Sequence, residues 1–110
     1  MSELLDTQML EELREIMEDE FPVLMDTFLS ESEKQYQAIK TAWADSDTDL
    51  LRRSAHSLKG SCGNIGAATL QSQCATLEYA ARDTKLDEIP QLVDQVGTSL
   101  VDVCEAVRNL

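Results

Sequence analysis

The chain has 110 residues, is 43% hydrophobic and carries a formal net charge of −12 at pH 7. This length suits one domain with a packed core, and we expect a single domain over residues 1–110. The charge argues against nucleic acid and anionic membranes as partners, since both would repel the chain. No apolar run approaches the roughly 20 residues that a membrane span needs, so we expect no membrane insertion.

Targeting and cysteine signals favour a cytoplasmic protein. Residues 1–6 are acidic and lack the basic start of a secretion signal. Cys62, Cys74 and Cys104 are odd in number and form no CxxC pair, which argues against a disulfide framework. Each lies on or near an apolar stripe, so we expect reduced cysteines in the core. A zinc site built from these cysteines and the single histidine is the alternative, disfavoured because the cysteines are scattered.

The first two predicted helices cover the N-terminal part of the chain. The first is short, spans residues 7–18 and has Asp6 or Thr7 as its cap. The second runs from about Phe21 to Trp43, after an acidic turn. Its middle is so polar that part of this helix should stand clear of the bundle, line a wet interface or form an ordinary solvent face. Apolar positions at helical spacing support the first helix: Met9, Leu10, Leu13, Ile16 and Met17.

Three further helices are predicted, over residues 48–65, 68–82 and 86–109. Ser46 or Asp47 caps the first of these, and Gly66 terminates it. Its short link to the next helix predicts an antiparallel hairpin. The last helix carries an apolar stripe formed by Ile89, Leu92, Val96, Leu100, Val103, Val107 and Leu110. Gly97 lies in the interior of this helix, and close packing against a neighbouring helix would explain a glycine there. Four long helices with short turns predict an all-α, antiparallel four-helix bundle, with the short N-terminal helix covering one end.

One stretch of this acidic chain reverses the local charge. Residues 50–77 contain no Asp or Glu, while Arg52, Arg53 and Lys59 lie there together with His56, the only histidine. The imidazole lies at the edge of the apolar stripe of its helix, so we expect it to be half exposed. Residues three and four apart on a helix are neighbours, so the three cations surround the imidazole.

This arrangement suits a phosphoryl group on a histidine nitrogen. Imidazole is a good nucleophile near neutral pH, and nearby Lys and Arg side chains can screen the phosphoryl charge. Gly60 and Gly63 would leave access for an incoming active site, although close helix packing is another reason for glycine at either position. Arg52 and Arg53 either extend the positive field or pair with the acidic face of a neighbouring helix.

The run from His56 to Gly66, HSLKGSCGNIG, resembles the signature of the histidine-containing phosphotransfer (HPt) domain family. That signature reads His-x-Leu-Lys-Gly-small-small, followed by an apolar residue and Gly. The resemblance implies a helical bundle of the stand-alone bacterial phosphorelay type, with His56 as phosphoacceptor and Lys59 as the cation that screens the phosphoryl group. It also implies a Gln or Glu on the fourth helix that bonds the other ring nitrogen. Glu78 is the candidate, and a surface glutamate is the alternative.

The resemblance implies a carrier between two receiver domains. His56 would accept a phosphoryl group from a receiver aspartate of a hybrid sensor kinase and pass it to the receiver of a response regulator. The sequence has no nucleotide loop, no kinase motifs and no carboxylate cluster beside His56 to hold magnesium. We therefore expect a monomeric carrier that is not an enzyme and has no cofactor of its own. The partner receiver would supply Mg²⁺ and most of the catalysis.

Two other functions remain open. The chain could be the substrate domain of a chemotaxis-type kinase, although it carries no kinase or dimerisation segment. It could also be a helical interaction adaptor without phosphoryl chemistry, in which His56 is incidental. In the phosphorelay case we expect exposed apolar residues around His56, with contributions from the first two helices, to form the docking surface.

Overall fold

The computed structural model describes residues 4–110 as five α-helices without a strand. They are α1 (Thr7–Met17), α2 (Glu20–Ala44), α3 (Thr48–Asn64), α4 (Ala68–Arg82) and α5 (Ile89–Arg108). Each long helix packs against the next, and α5 returns to α2, so that α2–α5 close a four-helix bundle. The predicted fold class is confirmed. Residues 1–3 of the acidic N-terminal segment lie outside the described residues.

Local chemistry explains where the helices begin and end. The side chains of Asp6 and Asp47 each accept a hydrogen bond of 3.0 Å from a backbone N–H of the first helical turn, so the aspartates are the caps of α1 and α3. The prediction for the start of α5 was three residues too early. Pro90 has no N–H to bond the carbonyl of Leu86, and residues 86–88 form a tight turn instead.

The short helix α1 lies across the end of the bundle where α3 turns into α4, as predicted. The backbone N–H of Asp6 donates to the carbonyl of Gly66 at 2.9 Å, and Leu5 and Leu10 are buried. Gly66 has a φ of +71°, a left-handed conformation that glycine adopts without strain. Ile16, one of the apolar positions that predict this helix, does not join the buried residues, because its side chain is 79% exposed.

The core lies between the four long helices. The three cysteines are free and buried in it, which confirms their predicted place. Most of the predicted stripe of α5 is buried as well, but Leu110, beyond the end of the helix, is exposed. No helix in the described part of the chain is long and apolar enough to cross a bilayer.

The polar middle of α2 does not stand clear of the bundle. Ser32 is fully buried, and its Oγ lies 3.9 Å from Sγ of Cys104 on α5. Gln35 is half-buried, and its Oε1 accepts a hydrogen bond from Ser61 on α3 at 3.0 Å. These contacts join α2 to both of its neighbours, while the other polar residues of this segment form a solvent face.

Gly97 allows close packing between α5 and α2. A Cβ atom at this position would lie 2.7 Å from Cζ of Tyr36 and closer still to its hydroxyl oxygen. The hydroxyl donates a hydrogen bond to the carbonyl of Val93 at 3.1 Å, which fixes the ring over the glycine. The aromatic ring therefore occupies the space that a side chain would need.

We predict that Gly97→Ala lowers the free energy of unfolding by about 1–3 kcal/mol, because overpacking outweighs the gain in helix propensity. Gly60→Ala is the matched control. No atom lies within 4 Å of a Cβ at Gly60, so this change should raise stability by up to about 1 kcal/mol. Urea unfolding measures both. An equal stabilisation by the two substitutions would contradict the proposed packing role of Gly97.

Candidate functional site

His56 projects from the middle of α3 into solvent. Ala55 and Leu58, on either side of it in the sequence, are buried, while the imidazole side chain is 65% exposed. The helical period that buries one stripe of α3 thus turns the histidine outward. A second protein can reach the ring without any rearrangement of the core.

A carboxylate on α4 holds one nitrogen of this ring. Nδ1 of His56 lies 3.0 Å from Oε2 of Glu78, whose side chain is only 13% exposed. Of the two alternatives that the sequence leaves open for Glu78, the structure therefore has the contact with the imidazole. An ionised carboxylate only accepts hydrogen bonds, so Nδ1 carries the hydrogen in a neutral ring. The lone pair then resides on Nε2, the nitrogen without this partner.

Lys59 is bound to the same carboxylate. Its Nζ lies 2.7 Å from Oε1 of Glu78, and its side chain is 24% exposed. Glu78 thus bridges the imidazole and the ammonium, one oxygen to each. The structure places the predicted screening cation against a carboxylate, one turn along α3 from His56.

This bridge keeps both charges in place at neutral pH. Partial burial raises the pKa of Glu78, but the hydrogen bonds from Lys59 and His56 outweigh it, and the net pKa lies below the usual value of 4.5. The hydrogen bond to Glu78 raises the pKa of Lys59 above 10.5. Glu78 is therefore ionised and Lys59 protonated at neutral pH.

The two predicted access glycines differ. Gly60 is exposed, and the space that its side chain would occupy is open. Gly63 is half-buried, and a Cβ there would lie 2.9 Å from Nε2 of Gln71 on α4. Gly60 therefore fits the predicted access role. At Gly63 the structure has the alternative that the sequence also offers, packing against a side chain of α4, and its access role stays a prediction.

Arg52 and Arg53 pair within their own helix. Each guanidinium lies 3.0 Å from a carboxylate oxygen of Asp49, in the first turn of α3. Their partner is thus in their own helix and not in a neighbouring one, and these ion pairs would reduce any positive field around His56. The hydrogen bond from Arg52, with the smaller effects of Arg53, lowers the pKa of Asp49.

Sequence reasoning missed two residues of this surface. Asp49 lies three and four positions before the two arginines, a spacing that predicts these ion pairs. Tyr79 is an exposed aromatic residue on α4, with Nζ of Lys59 at 5.9 Å and Cζ of Arg82 at 5.0 Å from its ring centroid. Its partners come from tertiary packing and from its own helix, and no motif in the sequence indicates the stacking with Lys59.

The structure does not bring His56 and the cysteines together. Cys62, Cys74 and Cys104 are buried in the core, whereas His56 is on the surface against Glu78. Within residues 4–110, no group of three or more His, Cys, Asp or Glu side chains could hold a metal ion. The arrangement of these side chains thus gives no support to the zinc alternative.

We predict a pH-dependent contribution of Glu78 to stability. Because its pKa is lower in the folded state, the contribution is present above 4.5 and is lost as the pH falls through the lowered folded value. Glu78→Gln should therefore destabilise the protein at neutral pH, and the difference should shrink in acid. Urea unfolding in a His56→Gln background measures this without titration of the imidazole.

The matched control for that measurement is Glu105→Gln, which removes an exposed carboxylate of α5 that makes no side-chain hydrogen bond or ion pair with described residues. This change should alter stability little at any pH. A Glu78→Gln difference that stays constant from neutral to acid pH would contradict the lowered pKa of Glu78.

Comparisons with known proteins agree on one family. A family model described as the Hpt domain matches residues 23–110, which include α3 and its histidine. The fold superimposes on the crystal structure of histidine-containing phosphotransfer protein B (HptB) from Pseudomonas aeruginosa PAO1 with a TM-score of 0.94. The two are 37% identical, and the match covers 99% of this chain and 95% of that chain. No curated protein sequence matches. The chain therefore belongs to the Hpt domain family and has a histidine phosphotransfer role in a phosphorelay.

Proposed function

We propose that His56 is the phosphoacceptor of this phosphotransfer chain. It would receive a phosphoryl group from the receiver domain of a hybrid sensor kinase and pass it to the receiver of a response regulator. The observation that carries the proposal is the contact between Nδ1 of His56 and Oε2 of Glu78 at 3.0 Å on an imidazole that is 65% exposed. This contact leaves Nε2 with its lone pair available to an incoming phosphoryl donor.

On the acceptor side, the proposed transfer step needs only His56 and Glu78. The Nε2 lone pair forms a bond to phosphorus while the bond from phosphorus to the aspartyl oxygen breaks, and the receiver's carboxylate leaves. The hydrogen on Nδ1 stays in place, so positive charge develops on the ring. The Glu78 carboxylate faces that charge and stabilises it. In the onward transfer an aspartate oxygen of the regulator attacks phosphorus and the neutral imidazole leaves.

The chain itself acts as a carrier in this proposal. His56 supplies a nucleophile and then a leaving group, held by a helix whose opposite face is in the core. In-line positioning and neutralisation of phosphoryl charge normally require a metal and further polar groups. We assign these, including Mg²⁺, to the active site of the receiver.

We propose that the receiver approaches over Gly60, where the surface of α3 is open. Ile16 on α1 and Val23 on α2 are exposed large hydrophobic residues, and we take them as the candidates for the contribution of the first two helices to docking. Apolar contacts suit this partner, because a chain of net charge −12 gains little long-range attraction from an acidic receiver surface.

We predict that a phosphorylated receiver labels the wild-type chain and not His56→Gln. The label should be stable in alkali and labile in acid, as expected of a phosphoramidate bond on histidine. Thr76→Gln, an exposed position on α4, is the matched control and should be labelled like the wild type. Equal labelling of His56→Gln would exclude His56 as the acceptor. If no receiver of the source organism labels the wild type, the result favours the interaction adaptor without phosphoryl chemistry. Labelling only by a kinase with ATP would favour the substrate domain of a chemotaxis-type kinase.

We also predict that Gly60→Trp slows transfer from a receiver by about tenfold or more, because the indole obstructs a large incoming active site. The small donor phosphoramidate should label His56 of this variant at nearly the wild-type rate. Asp102→Trp, at an exposed position of α5, a helix whose backbone does not approach that of α3, is the matched control. Equal slowing with both donors would show that the tryptophan disturbs the imidazole and not the access of a protein.

A further inference from the structure

We infer that Lys59 acts on phosphoryl transfer through the carboxylate of Glu78, as a positioning residue for His56, and not as a ligand of the phosphoryl group. The inference rests on the proposed role of His56 as phosphoacceptor and names how a second residue supports it. It replaces the role that the sequence predicts for this lysine.

The first argument is geometric. The ammonium contacts Oε1 of Glu78 at 2.7 Å, while Oε2 of the same carboxylate contacts Nδ1 of His56 at 3.0 Å. Lys59 therefore reaches the side of the ring that carries Nδ1, with the carboxylate between them. The phosphoryl group would be on Nε2, whose lone pair points away from this contact.

The second argument concerns what Glu78 would lose. Its Oε1 is buried, and no described residue other than Lys59 lies within ion-pair or hydrogen-bond distance of it. If the ammonium moved to a phosphoryl group, this oxygen would be left as a buried acceptor without a partner, which is unfavourable. A phosphoryl group on an imidazole that is 65% exposed is hydrated and already screened by water. The buried carboxylate is therefore the stronger partner for Lys59.

The third argument concerns what Lys59 does for Glu78. A carboxylate that is 13% exposed needs a charged partner to stay ionised and in one rotamer. With the ammonium on Oε1, the second oxygen keeps its place opposite Nδ1 and fixes the hydrogen there. Without the ammonium, the carboxylate gains by turning into solvent, and the imidazole is free to adopt its other tautomer. Lys59 thus controls which ring nitrogen is nucleophilic.

A cycle of Lys59→Met, Glu78→Gln and the double substitution tests this inference. The first readout is the tautomer of His56 from ¹⁵N chemical shifts of the imidazole, which needs no phosphoryl donor. The second is the rate of His56 labelling by phosphoramidate, in which Nε2 bonds to phosphorus and ammonia leaves. Using a small donor removes any effect of the substitutions on receiver docking.

We expect Lys59→Met to lower the Nδ1–H fraction and to slow labelling by about threefold or more in the wild-type background. In the Glu78→Gln background the same substitution should change the rate by less than about 1.5-fold, because the carboxylate that transmits its effect is gone. Lys59→Arg should restore both readouts, since a guanidinium also pairs with a carboxylate. Lys85→Met, which removes an exposed lysine from the turn before α5, controls for the loss of one positive charge and should leave both readouts unchanged.

An equal slowing by Lys59→Met in both backgrounds would overturn the inference and assign the lysine to the phosphoryl group. An unchanged tautomer in Lys59→Met would overturn it as well. If phosphoramidate failed to label His56 of the wild type, the proposed acceptor would be wrong, while the tautomer measurement would still decide whether Lys59 positions the ring through Glu78.

Discussion

The site depends on one partly buried carboxylate that two side chains of a neighbouring helix share. Glu78 binds Nδ1 of His56 with one oxygen and Nζ of Lys59 with the other, at 3.0 and 2.7 Å. The contact exists only in one register of the α3–α4 hairpin, because a shift of one residue rotates a helical side chain by about 100°. The tight turn at Gly66 and the buried faces of both helices set this register. The packing that sets the register of the hairpin therefore also sets the orientation of the imidazole.

Ion pairs at both ends of one window set the local charge around His56 in this acidic chain. Residues 50–77 lack carboxylates, and the two that flank this window, Asp49 and Glu78, both pair with cations inside it. Three cations in the window thus face two carboxylates at its edges, and the local charge is close to neutral in a chain of net charge −12. Exposed ion pairs such as those of Asp49 contribute little to stability. Their effect is to hold Arg52 and Arg53 along the helix, and not over the imidazole.

Periodicity alone predicted the fold, because apolar stripes at helical spacing fix which faces meet and short turns fix the order of packing. The errors occur where a side chain has no facing element or a backbone group has no partner. Ile16 and Leu110 follow their stripes but face solvent, and Pro90 moves the start of α5. The sequence left two equal alternatives for Glu78, a contact with His56 or a position on the surface. Only the register of the hairpin distinguishes them. Gly60 and Gly63 look equivalent in sequence. They differ because Gln71 of α4 faces one of them and solvent faces the other.

A phosphoryl carrier has a requirement that a terminal acceptor lacks, since the group must leave as readily as it arrives. A cation bound directly to the phosphoryl group would stabilise the phosphorylated state and raise the barrier to the next transfer. In our inference, Lys59 avoids this cost, because it is held by Glu78 and its charge supports the carboxylate that faces the ring. That carboxylate faces the positive charge that the imidazole gains when Nε2 is phosphorylated and loses when the neutral ring leaves. In the proposed transfer, the ion pair beneath His56 thus acts on the ring and not on the phosphoryl group, while the open surface at Gly60 would leave the remaining chemistry to whichever receiver is docked.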